Sequence, residues 1–275
     1  MNNASCVVTC YGITKDPKTN DFTMVMNYAG NGSLRHHLNN SFNSMDWNKK
    51  LFILQDIASG LKEIHDNGLI HHDFHCGNIL NDYDGIDTYI TDLGLCQPAN
   101  EKTSQTDEKN IYGVLPYVAP EVLRGKEYTQ ASDIYGFGII AYEVCTGLPP
   151  YHDVSHEEPL AIRICQGLRP KSNYKIPQLI LDIIQQCWDA DPLKRPTAKE
   201  LDYKIVQWYD DLKNDSDCEI KKQTNEVDEF NTTQPSFTLS NTELKYTTHP
   251  QAIYTSRLLK FENLPEPKNE DYSGN

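Results

Sequence analysis

Residues 70 to 80 read Ile70-His71-His72-Asp73-Phe74-His75-Cys76-Gly77-Asn78-Ile79-Leu80, and the chain soon reaches Asp92-Leu93-Gly94. Three histidines and a cysteine this close together raise a zinc site. The run holds no H-x-x-x-H pair, however, and neighbouring residues of a strand point to opposite sides. Asp73, Asn78 and Asp92 make a better set when read together as the parts of a phosphoryl-transfer site. That chemistry needs a carboxylate to orient an attacking hydroxyl and accept its proton, and oxygen ligands to hold magnesium against ATP phosphates. Ile79-Leu80 and Tyr89-Ile90 flank a turn at Asp82-Tyr83-Asp84-Gly85, so Asn78 and Asp92 are expected at neighbouring strand ends.

Upstream of this run, Trp47, Leu51, Leu54, Ile57, Ala58, Leu61 and Ile64 recur at three- and four-residue steps. With Asp46 before them as N-cap and Gly68 after, they predict an amphipathic helix from Trp47 to His65. Helical spacing also predicts helices at about Ser132 to Thr146, Ile176 to Trp188 and Thr197 to Leu212, so the second half is mainly α. At the start, Val7-Val8 leads to Tyr11-Gly12, a polar connection runs from Lys15 to Asp21, and Phe22 to Met26 follows, which predicts an antiparallel hairpin. Two strands alone are marginal in water, so a neighbour is expected beside them. After Leu212 no period persists, and a disordered tail is expected over 213–275. Within it, the stretch 253–264, with Ile253-Tyr254, Leu258-Leu259, Phe261 and Leu264, is apolar enough to dock on a protein surface.

The 275 residues are 38% apolar, enough for one substantial domain and an appendage. A net charge of −14, from 39 acidic against 25 basic residues, disfavours nucleic acid as a partner, so any phosphate must be held locally by metal or backbone. Eight scattered cysteines form no C-x-x-C pair and read as reduced thiols. No signal segment and no run of ~18 apolar residues is present, so the expectation is a cytoplasmic chain with no membrane partner.

Taken in order, His71-His72-Asp73 resembles the H-R-D of the protein kinase catalytic loop, Asp92-Leu93-Gly94 resembles D-F-G, and Ala119-Pro120-Glu121 resembles the close of an activation segment. Over roughly residues 4 to 212 the chain resembles the protein kinase superfamily, nearest in flavour to its tyrosine-kinase-like branch. The resemblance implies an α+β kinase-like fold, with a remnant of the N-lobe sheet at about 1–28 and a mainly helical C-lobe at about 33–212. It implies ATP and Mg2+ as cofactors and a protein hydroxyl, on Ser/Thr or Tyr, as acceptor. Carried over by position, Asp73 is the catalytic base, and Asn78 and Asp92 are the magnesium ligands. Met26 is the gatekeeper, backbone groups of Asn27 and Ala29 meet the adenine, and Leu80 lies in the nucleotide site with them. Glu121 is implied to pair with Arg195, and Asp133 to brace the backbone of the catalytic loop.

The sequence also departs from the family pattern. No glycine-rich phosphate loop, strand lysine or helix glutamate can be placed before the hinge, and Gly30-Asn31-Gly32 lies on its far side. The chain is expected to lack part of the N-lobe through an unread upstream exon. Losing one transition-state stabiliser costs ~10²- to 10³-fold, so unaided activity is expected to be very low. His72 stands where most members carry an arginine, and control by phosphorylation at Thr103, Ser104, Thr106 or Tyr112 is not expected from a residue without a guanidinium fork. His75, and Val114 in Gly113-Val114-Leu115-Pro116-Tyr117, sign neither Ser/Thr nor Tyr specificity. Two rival readings are a small-molecule phosphotransferase, which also uses H-x-D-x-x-x-x-N, and a non-catalytic kinase-like interaction module. The activation segment framed by Glu121, Asp133 and Arg195 argues against the first.

Overall fold

A computed structural model describes residues 5–82, 87–99, 111–214, 217–233 and 246–270. Thr103, Ser104 and Thr106, and three residues of the turn at Asp82-Tyr83-Asp84-Gly85, lie outside the described residues.

The chain opens with strands β1 (Cys10–Lys15) and β2 (Phe22–Met26), paired antiparallel. Both are exposed along their whole length, and among the described residues no third strand joins them. Helix α1 (Leu34–Ser41) then leads to α2 (Trp47–Asp66). The Asp46 carboxylate caps α2 by accepting from the Lys49 N–H at 2.8 Å, and the apolar stripe read from the sequence is its buried face. Strand β3 (Leu69–Ile70) enters the loop 71–78, which leaves through β4 (Ile79–Asn81) and returns through β5 (Thr88–Ile90). β4 and β5 pair antiparallel with Ile79 opposite Ile90, and β6 (Gln97–Pro98) comes back to pair with β3. The two small ladders clasp the loop from both sides.

Strand β7 (Ile111–Gly113) and the short helix α3 (Pro120–Leu123) precede α4 (Gln130–Thr146), which is buried over nearly its whole length. Thr129 and Ser132 start α4 with a reciprocal capping box. Helices α5 (Glu158–Cys165), α6 (Gln178–Cys187) and α7 (Ala198–Lys213) complete the large lobe, with α2 against α7 and α4 against α6. The predicted helices are present, with ends that differ by a residue or two, as fraying ends do. The architecture is an α+β kinase-like fold with a mainly helical C-lobe.

The expected disorder after residue 212 does not describe two stretches. Helix α8 (Glu219–Thr232) buries Ile220 and Val227, and its Asp228 accepts from the Trp47 indole N–H at 2.8 Å. Asn231 exchanges both amide groups with the Lys175 backbone, at 2.8 and 3.0 Å. Two apolar anchors two turns apart are too sparse to show as a helical stripe, and polar ties supply the rest. Residues 246–270 return across the large lobe, where strand β8 (Arg257–Leu259) pairs antiparallel with β7. Leu259 and Leu264, inside the apolar stretch 253–264, are buried against the large lobe.

Candidate active site

The loop 71–78 is held in place through its backbone. Asp133, in the first turn of α4, accepts from the His71 N–H at 2.8 Å and the His72 N–H at 3.2 Å, and from the His65 ring Nε2 at 3.0 Å. These bonds hold His72 at φ 71, a left-handed conformation that non-glycine residues adopt only when their surroundings impose it. Gly136 of α4 lets the helix approach, because a Cβ there would stand 2.8 Å from the Phe74 carbonyl oxygen. His71 is fully buried; its Nδ1 accepts from the Asp73 N–H at 3.3 Å, so the ring proton is on Nε2, which donates to the Thr91 carbonyl at 3.0 Å.

Asp73 is buried, and three side chains converge on its carboxylate. The Asn78 amide donates to the Asp73 carbonyl at 2.9 Å and reaches Oδ2 at 3.4 Å. The His75 Nε2 lies 3.5 Å from Oδ1, and the Ser256 hydroxyl donates to Oδ2. Burial pushes the carboxyl pKa up, but the His75 ring and the Ser256 hydroxyl outweigh it and hold the group below the usual carboxylate range. Asp73 is therefore ionised at neutral pH. The His75 Nδ1 accepts from the Gly77 N–H at 3.0 Å, which leaves Nε2–H to donate to the Ser256 Oγ at 3.2 Å. Burial lowers the pKa of His72, whose ring stacks on Tyr128 at 4.6 Å, so it carries no charge near pH 7 to hold a phosphate.

The β4–β5 pairing sets the backbone of Asn78 beside the residue that precedes Asp92. The Thr91 N–H donates to the Asn78 carbonyl at 2.9 Å, extending the β4–β5 ladder, and Asp92 follows with its side chain facing solvent. With its NH2 group on Asp73, Asn78 has its amide oxygen left for a cation. An amide oxygen and a carboxylate are both hard-oxygen donors, a set that fits Mg2+ better than a transition metal.

Past Asn78, Leu80 is bridged to Ser33, and the Asn81 N–H donates to the Gly32 carbonyl at 2.9 Å, so β4 runs beside the turn that follows Met26, Asn27 and Ala29. The Asn27 N–H is taken by the Thr9 carbonyl at 3.1 Å and the Ala29 carbonyl by the Gly32 N–H at 3.2 Å. Met26 is exposed.

Two buried ion pairs frame the acceptor side. Arg195 grips Glu121 with both guanidinium nitrogens, at 2.7 and 2.8 Å, and also donates to the Asp189 and Ala131 carbonyls, each at 2.9 Å. Arg35 meets Glu143 at 2.6 Å, and the Tyr117 hydroxyl donates to the same carboxylate at 2.5 Å, fixing the end of the segment that starts at β7. Sequence reasoning placed neither Ser256 in this site nor the His75 contacts. His75 was visible as a departure from family pattern, but Ser256 carried no signal.

A family model described as protein tyrosine and serine/threonine kinase matches residues 2–205. The "Protein kinase and PP2C-like domain-containing protein" of Arabidopsis thaliana is 28% identical over 255 residues, covering 80% of this chain and 39% of that protein. From Dictyostelium discoideum, "Probable serine/threonine-protein kinase roco5" is 33% identical over 73% of this chain and 7% of its own length. The "Dual specificity protein kinase splA" of the same organism is 30% identical over 68% of this chain and 8% of its own. The chain thus spans between 7% and 39% of the length of these curated relatives. Among the described residues no helix is long and apolar enough to cross a membrane. With the loop, the ion pairs and the family match in agreement, the chain belongs to the protein tyrosine and serine/threonine kinase family.

Proposed function

We propose that the chain directs the γ-phosphoryl group of ATP to a protein hydroxyl, with Asp73 receiving the hydroxyl proton. The observation that carries this reading is an ionised, buried carboxylate already accepting a hydrogen bond from a serine hydroxyl. Asn78 ties that carboxylate to the cation side, where its amide oxygen and Asp92 would hold Mg2+. When bound, the ion neutralises the phosphates. The Asn27 carbonyl and the Ala29 N–H would meet adenine, with Met26 and Leu80 against its faces. His75 presents Nε2–H to the acceptor oxygen and keeps it directed at Asp73.

Two measurements test this. In calorimetric titration with ATP, Asp92→Asn is expected to remove most of the affinity gained on adding Mg2+, and an unchanged gain would overturn the metal assignment. A glycine-rich loop and strand lysine of family pattern are not placed within the 275 residues, so the turnover test supplies them. In a chimera carrying those elements from a relative, Asp73→Asn is expected to cut turnover by ~10²- to 10⁴-fold. Equal turnover there would refute Asp73 as the base. The second reading, a non-catalytic interaction module, is favoured by one observation, that the acceptor position is occupied by the chain's own Ser256.

A further inference from the structure

We propose that residues 253–264 occupy the protein-acceptor groove in cis, as an intramolecular mimic of a serine-bearing substrate strand, and that they must leave before a protein substrate can enter. This rests on the reading of Asp73 as the group that meets the acceptor hydroxyl. Ser256 stands where that hydroxyl would stand, donating to Asp73 Oδ2 and receiving the His75 Nε2–H at 3.2 Å. Its backbone continues as β8, in register with β7: Gly113 faces Arg257, Tyr112 faces Leu258 and Ile111 faces Leu259. Strand addition of this kind supplies main-chain affinity, and the pockets for alternate side chains supply selectivity.

Those pockets are built from the large lobe. Two residues before the serine, the Tyr254 ring lies edge-on to His156 at 4.9 Å and under the Arg35 guanidinium at 4.5 Å, and its hydroxyl donates to the Pro150 carbonyl at 2.9 Å. His156 is fully buried; burial lowers its pKa, and its neutral Nδ1 accepts from the Ile253 N–H at 3.1 Å. One residue after the serine, Arg257 donates to the His156 carbonyl and lies 3.5 Å from the Glu157 carboxylate. Three residues after it, Leu259 is buried. The groove therefore selects an extended strand with an aromatic residue at −2, serine at 0, arginine at +1 and leucine at +3.

The lobe also holds the strand beyond the groove. Arg124 donates to the Leu264 carbonyl at 3.2 Å and forks onto the Glu266 carboxylate. Further on, Gly167, at φ +101, admits the chain so closely that a Cβ would stand 2.7 Å from the Asn269 and Glu270 backbone. A contact of that kind needs a surface shaped for this segment. The −14 net charge fits a groove that takes an arginine beside Glu157.

The test uses the full chain without nucleotide, so that failure of phosphoryl transfer cannot be mistaken for failure of docking. Trypsin is expected to cut after Arg257 and Lys260 at least about tenfold faster in Leu259→Asp/Leu264→Asp, and in the milder Ser256→Glu, than in wild type. The amides of Ile111–Gly113 should lose exchange protection in both variants while those of α4 keep theirs, which separates release from unfolding. A fluorescent peptide of residues 248–266 is expected to bind the released double variant and not wild type, and to bind at least about tenfold more weakly when it carries Ser256→Glu. Equal tryptic rates in wild type and both variants, or equal peptide binding to wild type and the double variant, would overturn the proposal.

Discussion

Removing Glu121 should unfold this protein more readily than removing any surface carboxylate, and the size of the effect can be worked from the contacts of Arg195. The Arg195 side chain is fully buried, and Glu121 supplies two of its four hydrogen bonds, with the Asp189 and Ala131 carbonyls accepting the others. In Glu121→Ala the guanidinium stays charged and buried with half its partners gone. Breaking a buried pair from one side costs about 3–5 kcal/mol, which for a domain of this size lowers the melting temperature by roughly 6–20 °C. Arg195→Met should cost less than Glu121→Ala, because a carboxylate at position 121 can neutralise by taking a proton. The double variant Glu121→Met/Arg195→Met, which buries no lone charge, should recover much of the loss, with a coupling energy of at least about 2 kcal/mol. Urea denaturation of the four proteins reads this cycle. A loss under about 1 kcal/mol in Glu121→Ala, or strict additivity in the double variant, would refute the claim that the pair holds α3 against the first turn of α4.

Two further outcomes follow from other buried carboxylates. Asp133→Ala leaves the His71 and His72 amides without their acceptor and should cost roughly 2–3 kcal/mol, with faster hydrogen exchange at those two amides. Unchanged exchange there would show that the loop holds its own shape. Asp56 accepts from the Thr88 N–H at 2.9 Å, yet burial pushes its pKa up to about 7. A raised folded pKa means the folded state takes up a proton, so this group's contribution is full below an unfolded pKa of about 3.9 and is lost as pH rises through 7. Asp56→Asn keeps an oxygen for Thr88 and should flatten the fall in urea midpoint between about pH 4 and pH 7, whereas a parallel curve would show Asp56 ionised in the fold.

What could be read from the sequence was whatever is local in it. Asp46 and the apolar stripe after it define α2, and helical spacing alone places α4, α6 and α7 to within about two residues of their ends. The pairing of the two strands between Asn78 and Asp92 was legible because their apolar residues lie close together in the chain. Helix α8 was not legible, since its stability rests on Asp228 against Trp47 and Asn231 against Lys175, pairings 181 and 56 positions apart. Ser256 lies 183 positions from Asp73, in a stretch without periodicity, and only the folded lobe brings the two together. Its neighbours were legible as apolar, but nothing in them says which surface they cover.

The histidine-rich loop shows how local chemistry acquires its meaning from the backbone. Both ring nitrogens of His71 are engaged, Nδ1 by the Asp73 N–H and Nε2 by the Thr91 carbonyl. Both of His75 are engaged as well, by the Gly77 N–H and the Ser256 hydroxyl. A metal ion would have to break these bonds and leave buried amides unpaired, at a cost of about 1–3 kcal/mol each. The same bonds fix one tautomer in each ring, with the proton on Nε2, so neither imidazole offers a lone pair at the acceptor position. On the proposed reading, Asp73 is left as the lone-pair acceptor for the hydroxyl, and its lowered pKa keeps it ionised when the acceptor arrives. On that same reading, the division of labour, histidines that position and one carboxylate that accepts, makes a loop so rich in potential ligands a site for an alcohol.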